Sequence, residues 1–338
     1  MTMIIVICIL TTLVFAFING FHDGCNVIAT IISSRSIEPK KAIITAVAVE
    51  FLGPLFMGTA VAQTLGNGVI DQKYLTGVGN AASTFMVISA LFGSIVWNLI
   101  TWKYGLPSSS SHALIGGLLG AGIAAYGPGS IQWFTVTWKV IFILLATPLI
   151  GFAAGYVLLK LNKMVFKNFP SRINVFFKKI QMLSMIFLAL SHSTSDSQKS
   201  MAIITMLLLI NGLLPEFKVP LWVMIVCTLA LSAGLATGGW SIIKTVGTRI
   251  YKVKPIHSFS SHISASAVII TASLLGSPVS TTQIVSSSIM GVGAADNFKN
   301  VRWDTVKSIM VSWIITIPTA ALVASGIFRF VSIIAKWG

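Results

Sequence analysis

Apolar runs of about 20 residues, each long enough to cross a bilayer as a helix, recur along the whole chain with short polar stretches between them. In order they predict membrane segments near 3–34, 42–66, 82–103, 108–125, 134–160, 181–213, 220–240, 258–276, 280–293 and 306–334. Little sequence remains for a water-soluble unit, so the pattern predicts one all-α polytopic membrane domain. The first and sixth segments each carry a polar interruption, Gly20 to Asn26 in one and Ser191 to Lys199 in the other. These predict discontinuous helices, because freed backbone groups at membrane depth are tolerated only beside a cavity or a ligand. The pairs 82–103 with 108–125 and 258–276 with 280–293 are joined by short proline-containing, hydroxyl-rich turns. They read as helical hairpins, either two full spans or a re-entrant loop.

The chain also repeats itself. GLPSSSSHALIGGLLGAGI at 105–123 aligns with GSPVSTTQIVSSSIMGVGA at 276–294, pairing Gly105 with Gly276, Pro107 with Pro278 and Ser109 with Ser280 at an offset of 171. The polar interruptions align at nearly the same offset, Asp23 against Asp196, 173 apart. Two matches at one offset indicate a duplicated half. The predicted division is a first repeat over 1–160, a basic linker over 161–180 and a second repeat over 181–338. With an odd number of crossings in each half, the repeats have inverted topology, as in secondary transporters.

Composition agrees: of 338 residues, 55% are hydrophobic and 9% charged, against roughly 25% charged in a soluble domain. The net charge of +15 comes from Lys and Arg lying between apolar runs, which fits the positive-inside rule and argues against nucleic acid as a partner. Lys160, Lys163, Lys167, Arg172, Lys178 and Lys179 stand together without an acid and place the linker in the cytoplasm. Counting crossings outward then places both termini outside the cell membrane. The opening run lacks a basic leader and a small-residue cleavage site, so it is expected to remain as the first helix. Cys8, Cys25 and Cys227 have no pairing or metal-ligand spacing.

Three acids fall inside predicted segments: Asp23, Glu50 and Asp196. An ionised carboxylate in hydrocarbon costs several kcal/mol, so such groups face a cavity, a counter-ion or a transported cation. Asp23 and Asp196 mark equivalent points of the two halves, which packing alone explains poorly; for Glu50 a structural pairing and a role in ion coupling are both open. Around the aspartates stand Asn19, His22 and Asn26, and His192, Thr194, Ser195, Gln198 and Lys199. Carboxylate, amide and hydroxyl oxygens of this kind suit a hard monovalent cation, with Asp23, Asn26 and Asp196 as direct ligands if that ion is sodium. The histidines alone are weak evidence, since most make local hydrogen bonds. Ser108, Ser109, Ser110 and Ser111, and Ser280, Thr281 and Thr282, each follow a proline and open a glycine-rich helix. Unpaired N–H groups at a helix start, with hydroxyls beside them, suit a tetrahedral oxyanion; capping and close packing would explain one such cluster, but not two at the repeat offset. An oxyanion held near carboxylates requires an accompanying cation, so charge balance points to co-transport.

GFHDGCNVIAT, SHSTSDSQKSM, GLPSSSSHALIGG, ATGGWSIIKTVGTRIYKVKP and GSPVSTTQIVSSSIMGVG occur in this order, and together they resemble the inorganic phosphate transporter (PiT) family of phosphate and, in some branches, sulfate permeases. The resemblance covers most of the chain. It implies a secondary transporter carrying phosphate by sodium or proton symport, with sulfate or another tetrahedral oxyanion as the alternative, and usually a homodimer. It implies that Asp23, Asn26, Asp196 and Gln198 belong to the cation and substrate centre, and that Ser108 to Ser111 and Ser280 to Thr282 sit at two hairpin tips touching the anion. The chain departs from the pattern at Ser193 and Ser195, where Gly and Asn are usual, and at Gln283, where His is usual; the resemblance therefore fixes neither the coupling ion nor the anion. Two other classes compete: an intramembrane serine hydrolase using Ser109 or Ser110 with His112 as base, and a passive channel. The second-half equivalent of His112 is Gln283, which cannot act as that base, so duplication favours a binding cradle and no enzyme.

Overall fold

The structure, a computed structural model, describes residues 2–56, 58–77, 80–167 and 173–335. Among these residues it is helical throughout, with one isolated bridge between Ile70 and Ile131. The helices are α1 (Thr2–Asp23), α2 (Cys25–Ser33), α3 (Pro39–Phe56), α4 (Ala60–Gly68), α5 (Gln72–Gly77), α6 (Asn80–Lys103) and α7 (Ser110–Tyr126). Then come α8 (Trp133–Thr135), which continues through a π-helical stretch into α9 (Phe142–Val165), and α10 (Ile173–Ile210), α11 (Leu221–Thr237), α12 (Trp240–Lys244), α13 (Pro255–Leu274), α14 (Thr281–Asn297) and α15 (Trp303–Ile334). Among the described residues the ten apolar runs are mostly helical, and two of them, 42–66 and 220–240, are bent at a break.

Five helical stretches, Met3–Ser33, Ala81–Lys103, Trp133–Val165, Val175–Ile210 and Trp303–Ile334, are long and apolar enough to cross a membrane, and two bent pairs can be read as further spans. The exposed surface is apolar where it faces lipid. Val6, Leu10, Val14 and Phe17 on α1, Leu145 and Leu149 on α9, and Ile314, Leu322 and Phe330 on α15 point outward at helical spacing. Polar side chains are turned inward.

The helix breaks are not where the polar clusters predicted them. α10 runs unbroken through Ser191 to Lys199, and α1 passes into α2 with only a local irregularity at Gly24, whose backbone stays helical (φ −61°, ψ −27°). The reason is local satisfaction. Thr194 donates to the carbonyl of Leu190 (2.7 Å), Ser197 to that of Ser193 (2.6 Å) and Gln198 to that of Thr194 (2.9 Å), so these polar groups are satisfied within α10 and leave its backbone ladder unbroken. The discontinuities lie one segment further on in each half, in runs that read as simple spans. α3 meets α4 at 69°, and α11 meets the Trp240–Arg249 helix at 62°. Within 161–180, α9 extends to Val165 and α10 begins at Ile173. Arg172 lies outside the described residues.

Helix packing is matched between the halves. α1 crosses α11 as α10 crosses α3, and α7 packs on α15 as α14 packs on α9. The correspondence reaches single atoms. Gly105 and Gly276, which begin the two hairpin turns, both adopt positive φ (+65° and +67°), which favours glycine. Gly105 sits against the carbonyl of Ser241 and the hydroxyl of Thr245, Gly276 against the carbonyl of Ala60 and the hydroxyl of Thr64.

At one end of the bundle, beyond the apolar run 280–293, Asp296 joins α9, α13 and α14. The imidazole of His257 lies 3.6 Å from it, and Lys163 and the Tyr251 hydroxyl donate to its two oxygens. Together these hold its carboxyl far below the usual range. Because the folded value is depressed, the stabilisation is whole above the ordinary carboxylate range and is lost as pH falls through the folded value. Asp296→Asn is expected to lower the melting temperature at neutral pH, by the equivalent of about 1 kcal/mol or less after solvent screening. The gap to wild type should narrow in acid; a gap that widens there would contradict the assignment.

Candidate substrate and ion site

The predicted site residues converge where the two hairpin tips meet α1, α2 and α10. Both tips are buried: Ser108 to Ser111 and Ser280 to Thr282 are at most 2% exposed, as are Asp23, Asn26, Glu50 and Asp196. The centre is thus closed to both ends of the bundle, and the tips are re-entrant into protein.

Each hairpin starts its second helix in the same way. Ser109 caps α7 by accepting the amide of His112 (3.1 Å), and Ser280 caps α14 by accepting that of Gln283 (3.2 Å). The next hydroxyl in each tip reaches the aspartate of its own half: Ser110 donates to Asp23, and Thr281 donates to Asp196 (3.1 Å). The third pair diverges. Thr282 crosses to Asp23 (2.7 Å), while Ser111 donates to the carbonyl of Val279 in the opposite tip (2.8 Å). The first amides of α7 and α14 precede any i−4 carbonyl and remain as donors at this centre.

The aspartates are not alone. The His22 Nδ1 lies 2.7 Å from Asp23, and His22 Nε2 lies 3.1 Å from the Thr101 hydroxyl, which also contacts Ser108 (2.8 Å). His192 stands between Glu50 (2.7 Å) and Asp196 (3.4 Å). Glu50 therefore reaches the centre through an imidazole, not directly. Two residues that carried no assigned role bind the halves together. Lys199 places its ammonium 2.9 Å from Asp196, 2.9 Å from the Ser110 hydroxyl and 4.0 Å from Asp23. The amide of Asn19, with its nitrogen toward the carboxylates, lies 2.9 Å from Asp23, 2.7 Å from Ser110 and 3.2 Å from Asp196. Their helical spacing from the aspartates, four residues before Asp23 and three after Asp196, was the signal available.

Other predicted residues stand apart. Gln198 turns away from the hairpin tips: its side-chain oxygen accepts the amide of Ala62 at the start of α4 (3.0 Å). Among the described residues, the Ser195 hydroxyl, Asn26 Oδ1 and Glu50 Oε2 have no hydrogen-bond partner, and Asn26 Nδ2 donates to Thr282 (2.9 Å). No group of three or more His, Cys, Asp or Glu side chains forms a metal cluster among the described residues. The His112 ring contacts Gln283 (3.3 Å), while Ser109 meets only the His112 backbone, so the expected pairing of Ser109 with the His112 imidazole is not formed; the imidazole near a tip serine is His22, 3.4 Å from Ser108.

Two open cavities lie beside the hairpin turns. One, of about 460 Å³, is lined by Gln63, Thr64, Lys139 and Gly276; the other, of about 300 Å³, by Gly105, Thr245, Arg249 and Asp304. Each has a hairpin-turn glycine in its lining.

An apolar outer surface around a buried, charged and hydroxyl-rich centre defines a multi-pass membrane transporter. Residues 19–324 match the phosphate transporter family. The chain is 40% identical over 323 residues to a protein of Bacillus subtilis (strain 168) named a probable low-affinity inorganic phosphate transporter, covering 95% of this chain and 94% of the relative. A protein of Mycobacterium bovis with the same name is 36% identical over 341 residues, 99% of this chain and 79% of that one. A solved structure titled "The sodium-dependent phosphate transporter" superposes with a TM-score of 0.89 at 22% identity, covering 99% of this chain and 100% of that chain, which establishes a shared fold. The chain belongs to the phosphate transporter family; it is a transporter and not an enzyme.

Proposed function

We propose that this chain carries inorganic phosphate through the cell membrane together with a cation, sodium or a proton, by alternating access between two inverted repeats, 1–160 and 181–338. The carrying observation is the paired arrangement in which Ser110 and Thr281, each at a hairpin tip, hold the aspartate of their own half at one closed centre. Phosphate binds at the hairpin tips, between the first amides and hydroxyls of α7 and α14; Asp23, Asn26 and Asp196 serve the coupling cation. The two cavities, each lined in part by the glycine of one hairpin turn, support alternate opening of one hairpin at a time. Lys139 and Arg249 in those cavities would draw an anion inward. The linker faces the cytoplasm, and the protein works as a homodimer with an affinity in the low range named for its relatives.

The test is radiolabelled phosphate uptake into proteoliposomes under an imposed sodium or proton gradient, with unlabelled sulfate as competitor. Uptake under neither gradient refutes the proposal, and sulfate competing better than phosphate replaces the substrate. Flux that ignores both gradients makes the protein a channel. Ser110→Ala and Thr281→Ala are each expected to raise KM for phosphate about fivefold, the equivalent of roughly 1 kcal/mol for one hydrogen bond. Unchanged KM in both would remove the hydroxyls from the binding site.

A further inference from the structure

We propose that the Lys199 ammonium is a tethered cation filling a position between the two aspartates that a sodium ion would otherwise take, so that this chain moves phosphate without sodium. The inference rests on the transport reading above and concerns which ion accompanies the substrate.

Lys199 is 1% exposed and belongs to α10, one turn beyond Asp196. Its Nζ lies 2.9 Å from Asp196 and 4.0 Å from Asp23. A buried ammonium is retained only where anions and acceptors surround it, and here they come from both halves. With the offset of 173 that aligns Asp23 and Asp196, Lys199 falls on Asn26, and the two perform corresponding tasks. Asn26 donates to Thr282, a hydroxyl of the opposite hairpin, which donates in turn to Asp23; Lys199 donates to Ser110, also of the opposite hairpin, which donates to Asp23. At the first position a neutral amide leaves an oxygen, Asn26 Oδ1, without a hydrogen-bond partner among the described residues. At the second the chain supplies the positive charge itself.

The carboxylates are correspondingly saturated. Asp23 receives Ser110, Thr282 and His22, Asp196 receives Thr281 and has His192 beside it, and the ammonium faces both. A fixed charge cannot leave with the substrate. It lowers the repulsion between the aspartates and an arriving phosphate while contributing nothing to the ion stoichiometry.

The experiment compares wild type, Lys199→Asn and Lys199→Arg. Phosphate uptake by proteoliposomes is measured in sodium and in choline media at one pH, and the melting temperature of each purified protein is measured in the same two salts. Wild type and Lys199→Arg are expected to take up phosphate at the same rate in both media and to melt at the same temperature in both. Lys199→Asn, which gives the second half the residue of the first, is expected to melt higher in sodium than in choline and to keep only sodium-dependent uptake. A wild-type rate that falls about tenfold or more in choline overturns the proposal whatever the variants do. So does a Lys199→Asn protein with wild-type uptake and no response to sodium. Absence of phosphate uptake under every gradient would instead sink the transport reading, and the melting comparison would still decide whether Lys199 occupies a sodium position.

Discussion

Asp196→Asn is expected to reduce phosphate uptake by at least about a hundredfold while the protein still accumulates in the membrane. The carboxylate accepts from Thr281 and faces both His192 and Lys199. An amide of the same size keeps the volume but removes the charge, leaving the buried Lys199 ammonium with only Asp23, 4.0 Å away, as a carboxylate partner. Removing one partner of a buried ion pair costs about 3–5 kcal/mol, and each 1.4 kcal/mol corresponds to about tenfold. Asp23→Asn should act the same way, since Ser110, Thr282 and His22 all converge on that carboxylate. Initial uptake rates normalised to protein in the membrane provide the check. Near-normal rates in both variants would mean that the aspartates are structural and that the ion site lies elsewhere.

The second large effect is expected far from any charge. Gly234→Val should leave little folded protein, visible as loss of the monodisperse peak in detergent and as a collapsed melting temperature. At the crossing of α1 and α11, a Cβ on Gly234 would overlap the carbonyl oxygen of Phe17, and one on Gly20 would overlap that of Leu231. Both obstacles are backbone, which cannot swing aside as a side-chain tip can, so the helices must separate and lose the packing on which membrane helix association depends. Overpacking of this kind costs about 1–3 kcal/mol, and more where the backbone must move. Gly53, the matching position at the α10 and α3 crossing, would place its Cβ 2.8 Å from the Leu190 carbonyl oxygen and nearer still to the Ser193 hydroxyl. Gly53→Val is therefore expected to be milder, because a hydroxyl can rotate. Full thermal stability in Gly234→Val would show that this crossing is not tight.

Much of this architecture is legible in the sequence because the membrane imposes length and polarity rules on every crossing helix. The ten runs, the hairpins and the pairing of Asp23 with Asp196 all follow from those rules and from the repeat. The polar clusters mark sharp breaks poorly because Thr194, Ser197 and Gln198 bond back into α10, and because Gly24, which separates α1 from α2, keeps a helical backbone. The bends lie at Gly58 and at Gly238, both at positive φ, where one glycine after Pro54 in the first case and the pair Gly238–Gly239 in the second are the signals that distinguish them from ordinary spans. The resemblance assigns Gln198 to the substrate centre, while in the structure its side-chain oxygen accepts the Ala62 amide at the start of α4. The roles of Lys199 and Asn19 could not be read from composition. They depend on which face of a helix meets the opposite half, and that is settled by tertiary packing.

His112 and Gln283 occupy the same place in the two halves, and they touch. A position that meets its own duplicate cannot drift alone, because whatever hydrogen-bonding role one side chain takes, the other must offer the complement. Two imidazoles facing each other would have to settle which is donor and which acceptor; an amide against an imidazole has that choice built in, with Gln283 Nε2 donating a hydrogen bond to His112 Nδ1. In this chain the seam between the two hairpins is therefore asymmetric, one side presenting an imidazole and the other an amide.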